Sequence, residues 1–371
     1  MLPRRAPGSV GARWHDERVL RSLAPYRLRA QRLVGDPLPD PAAVVRHLGA
    51  VQSQEHATVP WSIGRRCGAD LQAVLSAPDV VRTHALRTTW HHVHLDDLPL
   101  VVAATGDRVM GQVVAHVRRL GMDERTLLAA GDVVARAVRS APGCTRDDVA
   151  ARLDEAGHPL RGDLLAHVVM VAELRGEVAG RRDPGGPHRY APLDLAPAST
   201  DVDGARAWLA RTYARGHGPV DAADLAWWSS LTLTQARRAV ADAGLEPVEV
   251  HGETLWSDLD GDALEAARVE VPAVLLLSGF DELVSYARDG RVRAELGPHH
   301  DAVLGGGGIL VVDGRLAGHW RRTVRATTLT VEVTGEAVAS RRHRAALEAE
   351  AHAMARFLGV PDVDLVLPGT P

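Results

Sequence analysis

Residues 127–193 run helix, helix, helix, hairpin, and this order constrains the fold more than any other stretch of the chain. Residues 127–138 carry the apolar spacing of an amphipathic helix, broken by Pro142-Gly143. Thr145 stands where an N-cap belongs, ahead of Arg146–Glu155 with Val149, Leu153 and Ala156 at helical spacing, and Gly157 closes that helix. Residues 163–174 give a third helix with Leu164, Leu165, Val168, Val169 and Val171 apolar. Residues 177–182 and 188–193 then flank Asp183-Pro184-Gly185-Gly186-Pro187, two short strands around a Pro/Gly turn. Three helices followed by a hairpin make the winged form of the helix-turn-helix.

The order returns. Residues 205–213 read as a helix broken at Gly218-Pro219; Asp221 caps a helix through Trp228, and 234–243 form a third helix stopped by Gly244. Residues 249–256 form a hairpin around His251-Gly252. A looser copy occupies residues 27–98, with helices near 27–33, Pro41–Leu48 and Leu71–Leu75 and a strand-like run at 87–95. A unit of roughly 65 to 75 residues repeated three times implies a tandem array. The remainder differs: an apolar strand at 271–277, a β-meander from Ile309 through the turn Asp313-Gly314 to Val333, and a closing helix at Arg341–Leu358. The expected class is α+β, with three winged-helix units at 25–125, 126–200 and 201–265 and an α+β domain at 266–371. The run Gly305–Gly308 reads as a flexible hairpin loop and not a phosphate cradle, because no lysine or helix start follows it.

Composition excludes whole chemistries. All 43 basic residues are arginine. Without lysine there is no Walker A phosphate ligand, no kinase strand lysine and no Schiff-base amine. Net charge is −4, but residues 1–66 carry +6 and the rest −10, so a basic surface for phosphates is compatible with the total. With 46% hydrophobic residues, no apolar membrane-length run, no leader-like start and only Cys67 and Cys144, a soluble cytoplasmic protein with no cofactor or metal is expected.

In Val51-Gln52-Ser53-Gln54-Glu55 two glutamines flank one residue, and on extended backbone Gln52 and Gln54 project to the same side. Amides both donate and accept, so such a pair can hold a water without titrating. It can serve only a reaction whose leaving group departs readily; otherwise the two are surface amides or caps. Glu55 points to the opposite face and reads as a cap. His91, His92 and His94 lack further ligands at zinc spacing, so a packed or phosphate-contacting histidine is the better reading. Asp281 and Glu282, at the end of an apolar strand, read as structural acids with Arg288, Arg291 and Arg293 as partners. Trp227-Trp228 reads as core, with a base-stacking wedge as the alternative.

Val51-Gln52-Ser53-Gln54, Pro60-Trp61-Ser62-Ile63-Gly64-Arg65-Arg66 and Arg87-Thr88-Thr89-Trp90-His91 resemble the AlkZ-like winged-helix DNA glycosylases. Phe280-Asp281-Glu282, Val312-Asp313-Gly314-Arg315 and His319-Trp320-Arg321-Arg322 are similar to that family's carboxy-terminal pattern, in the right order across about 25–360. The resemblance implies three winged-helix units around a concave DNA face, excision of alkylated bases and, in some members, unhooking of interstrand crosslinks. It implies Gln52 and Gln54 as the catalytic pair, with Ser53 standing where the family carries an aliphatic residue. Double-stranded DNA bearing alkylated or crosslinked bases is then the partner of a monomer. The expected DNA contacts are Arg65, Arg66, Arg87, His91, Arg181 and Arg182. The competing functions are a non-catalytic winged-helix regulator and a protein that sequesters a DNA-damaging metabolite.

Overall fold

The structure, a computed structural model, describes residues 23–55, 57–182, 186–196, 198–250, 252–286, 297–335 and 340–367. Residues 23–30 form α1, followed by α2 (Pro41–Leu48), β1 (Val51–Gln52), α3 (Val59–Cys67), α4 (Leu71–Leu75), β2 (Val80–His84) and β3 (Trp90–His94). The expected sequence of helices passed over α3 and β2. Pro60 is compatible with α3 because it sits in the first turn, where its missing N–H costs nothing. Gly64 is required by packing: a Cβ there would lie 2.5 Å from the Phe357 ring.

The middle of the chain is helix-rich: α5 (Leu98–Arg119), α6 (Glu124–Ser140), α7 (Arg146–Glu155) and α8 (Gly162–Leu174), then the hairpin β4 (Val178–Arg182) and β5 (His188–Pro192). Next come α9 (Val202–His217), α10 (Ala222–Ser229), α11 (Leu233–Asp242) and the hairpin β6 (Glu246–Val250) and β7 (Glu253–Ser257). The caps are local and reciprocal. Thr145 and Asp148, Asp221 and Asp224, and Thr232 and Gln235 each form a capping box, which satisfies the first free N–H groups of α7, α10 and α11. After α12 (Gly261–Ala266) and β8 (Val274–Leu277) come α13 (His300–Leu304), β9 (Gly308–Val312), β10 (Arg315–Arg325), β11 (Thr328–Gly335), α14 (Arg341–Leu358) and β12 (Asp362–Val366). The glycine run joins α13 to β9 and is not a hairpin loop. Gly308 is needed because a Cβ there would sit 2.0 Å from the Trp320 ring.

The helix–helix–helix–hairpin order thus recurs, but only the β6–β7 hairpin forms a two-stranded sheet by itself. β4 and β5 extend the first sheet, whose order is β1-β3-β2-β4-β5, through the pairing of Arg82 with Gly180. A second sheet, β12-β11-β10-β9-β8, is antiparallel except at β11–β12. The buried clusters cross the expected divisions. The first half of α5, at Leu98, Val101 and Ala104, packs with α9–α11, whereas its second half, at Val109, Val113 and Val117, packs with α6–α8. Val44, Val45 and Leu48 of α2 and Trp61 and Ile63 of α3 share a core with the second sheet and α14. The consequence for the site is direct: the amino-terminal strand β1 and the loop after β8 are held against one another. No helix among the described residues is long and apolar enough to cross a membrane.

Candidate active site

β1 is two residues long and pairs antiparallel with β3, placing Val51 opposite His92 and Gln52 opposite His91. One further bond, from Ser53 N–H to the Trp90 carbonyl at 2.7 Å, continues the ladder. The backbone then bends at Gln54, so the simple alternation of an extended strand ends before the second glutamine. Gln52 is half-buried and Gln54 exposed. Glu55 turns back to the start of α3, where its carboxylate accepts from Ala57 N–H at 2.7 Å and Thr58 N–H at 2.8 Å. These N–H groups precede α3, whose N-cap residue is Thr58, so Glu55 braces the turn before the helix and does not cap it.

Ser53, between the glutamines, is fully buried. Arg82 Nε lies 3.2 Å from both its carbonyl and its hydroxyl oxygen, and Arg82 Nη2 donates to the carbonyl at 3.0 Å. The Arg82 guanidinium is itself seated over the Trp90 ring, 4.1 Å from its centroid. A serine in this core position would otherwise leave a hydroxyl unsatisfied. The hydroxyl is instead part of the clamp that fixes the segment.

Beneath Gln52 lies a buried polar layer. The single 3₁₀ turn Glu282–Val284 brings Glu282 Oε1 to 2.7 Å from Gln52 N–H. Glu282 Oε2 accepts from Trp228 Nε1 at 3.2 Å and faces His217 Nε2 at 3.1 Å. Burial pushes the Glu282 carboxyl up, but His217, the Gln52 amide and the Arg87 charge together hold it below the ordinary carboxylate range. Tyr213 stacks on Trp228 at 4.8 Å and on His217 at 4.4 Å, closing this layer from α9 and α10. Above it, Arg87 Nη2 donates to Gln52 Oε1 at 2.8 Å, and the guanidinium lies over Trp227 at 4.5 Å. Trp227 and Trp228 therefore divide their roles: Trp228 is fully buried core, and Trp227 is exposed against Arg87.

Two arginines expected on DNA are elsewhere. The Arg66 side chain has no exposed area and meets Asp281 in a two-pronged ion pair, Nη2 to Oδ1 at 2.8 Å and Nη1 to Oδ2 at 3.0 Å. Its other N–H groups go to Gln31 O, Gln31 Oε1 and Ser62 O. Arg65 pairs with Glu350 at 2.9 Å, donates to the Leu276 carbonyl at 3.0 Å and lies over Trp61. Both charges are used inside the protein, because α3 packs against α14 and against β8 of the second sheet. His91 is also corrected as a DNA contact: its ring is fully buried, with Nδ1 2.9 Å from the Thr89 carbonyl. Burial, followed by the Arg87 charge, lowers its pKa to about 3. Arg181 is exposed, its guanidinium on the Pro78 carbonyl. The side chain of Arg182 and the residues Arg288, Arg291 and Arg293 lie outside the described residues. Among the described residues, no three His, Cys, Asp or Glu side chains converge as metal ligands.

Among the described residues the acid pair has partners on distant elements, while the expected Arg288, Arg291 and Arg293 lie outside them. Asp281 takes Arg66 and Ser62, and Glu282 takes His217, Trp228 and Gln52. Sequence reasoning missed Arg82 and His217. Neither stands in a motif, and only the register of β2 with β3 and the end of α9 bring them to the segment.

No curated protein matches the chain by sequence. Among solved structures, the fold is similar to the Streptomyces sahachiroi DNA glycosylase AlkZ, with a TM-score of 0.75 at 22% identity over 94% of this chain and 98% of that one. The sequence model of the family described as DNA glycosylase AlkZ-like matches residues 45–357, a span that holds Gln52, Gln54, Arg87 and Glu282. The chain belongs to the AlkZ-like DNA glycosylases, enzymes of DNA repair.

Proposed function

We propose that the protein is a monofunctional glycosylase for purines alkylated at N7 or N3 in double-stranded DNA, that it acts as a monomer, and that the same hydrolysis unhooks crosslinks made through such bases. In this reading residues 25–125, 126–200 and 201–265 act as winged-helix units around the duplex, with Gln52 and Gln54 positioning the water. The observation that carries it is the anchoring of the Gln-Ser-Gln segment: Gln52 is held by Glu282 and Arg87, Ser53 by Arg82 and Trp90, and Gln54 remains open to solvent.

Alkylation at a ring nitrogen makes the base cationic, so the C1′–N bond breaks with its electron pair moving to the base, which departs neutral. The sugar becomes oxocarbenium-like, water adds at C1′, and its proton passes to solvent. Amides cannot take that proton, but the chemistry needs only an aimed water and a tolerant electrostatic setting. The test is incubation of a duplex carrying one N7-alkylated guanine, followed by heat or alkali to reveal abasic sites. Gln52→Ala and Gln54→Ala should each slow release about 10²- to 10³-fold while leaving duplex binding intact. A protein that binds this duplex and forms no abasic sites would be a non-catalytic binder, and full activity in the double variant would remove these residues from the reaction.

A further inference from the structure

Arg87 leaves the turn between β2 and β3 and reaches the Gln52 side chain, whereas Glu282 holds the Gln52 main chain. A guanidinium only donates, so the atom of Gln52 that faces Arg87 Nη2 at 2.8 Å is the amide oxygen, and the orientation of the amide is fixed by its partner. Trp227 underlies the same guanidinium at 4.5 Å and restrains it on α10. Gln52 is thus tied twice, at its main-chain N–H by the buried Glu282 carboxylate and at its side-chain oxygen by Arg87. The two ties come from groups of opposite charge.

Resting on the reading that Gln52 belongs to the catalytic pair, we propose that Arg87 is a positioning residue that makes Gln52 a hydrogen-bond donor in the reaction. With its oxygen engaged by a full positive charge, Gln52 presents its Nε2 hydrogens to the water oxygen. Accepting a hydrogen bond from that water then falls to the exposed Gln54. The two glutamines have unequal roles, set by a residue outside the Gln-Ser-Gln segment.

The experiment is a double-mutant cycle of Arg87→Met and Gln52→Ala, read as single-turnover excision from an N7-alkylated duplex at saturating enzyme, with binding measured separately at several salt concentrations. Arg87→Met should slow excision about 10²-fold, the scale of a misplaced reacting group. In the Gln52→Ala background it should cost little more, with the salt slope of binding unchanged throughout. Arg87→Lys, which restores a donor, should recover part of the rate. An equal loss in both backgrounds, or a shallower salt slope in Arg87→Met, would make Arg87 a phosphate contact and overturn the proposal. If Gln52→Ala alone excises at the full rate, the catalytic-pair reading falls, and the assignment of Arg87 falls with it. That outcome is read from its own arm of the cycle.

Discussion

Replacing Arg66 with methionine should destabilise the protein severely at neutral pH and much less in acid, without touching DNA affinity. The substitution keeps most of the volume and removes every donor. Five hydrogen bonds disappear, and among the described residues the Asp281 carboxylate keeps only Ser62 Oγ at 2.7 Å and Leu283 N–H at 3.0 Å. Both charged side chains have no exposed area, so the loss is that of a broken buried pair, about 3–5 kcal/mol. Set against a stability of about 5–15 kcal/mol, that is a large fraction, and the urea midpoint should fall by about 1–3 M. The pH dependence gives the sharper test. In the native protein burial pushes the Asp281 carboxyl up, but Arg66 holds it below the ordinary range. Its contribution is therefore present above the unfolded value of about 3.9 and lost as pH falls through the lower folded value. Without Arg66 burial is opposed only weakly, by the Ser62 and Leu283 hydrogen bonds; the folded value rises, and the variant loses stability as pH climbs above about 4. Urea melts of both proteins at pH 4 and pH 7, with the salt dependence of duplex binding, decide the matter. A variant as stable as the parent at pH 7, with a salt slope shallower by about 0.9, would mean that Arg66 faces phosphate, and the buried pairing described here would be wrong.

Two further outcomes follow from other features. With 43 arginines and no lysine, base excision should leave an intact abasic strand, and borohydride should trap no covalent adduct; efficient trapping would assign the chemistry to an amine and discard the two-glutamine reading. Gly64→Ala should destabilise by about 1–3 kcal/mol, because its methyl group would meet the Phe357 ring and the Ala69 carbonyl in a packed core; an unchanged thermal midpoint would show that α14 can move aside.

Much of the chain's local structure is legible from the sequence, because it is set by residues three or four apart. Thr145 with Asp148 and Asp221 with Asp224 cap helices where the sequence places their starts, and α2, α4, α7 and α14 keep the bounds read from periodicity and breakers. The glutamine pair and the absence of lysine are also properties of the sequence alone, as is the chemistry that they permit or exclude. The tertiary structure decided where the charges went. Arg66 and Arg87 look alike as motif arginines, yet one is neutralised by Asp281, 215 positions away, while the other holds Gln52. Trp227 and Trp228 are neighbours on one helix, and the direction of each side chain sends one to solvent and the other onto Glu282. Gln52 and Glu282 are 230 positions apart, and nothing in either segment names the other. A helix cap is satisfied within one turn of chain. A buried charge can be satisfied only by whatever partner the packing of distant elements delivers, and that is fixed by the second sheet and α9 closing over the amino-terminal strand.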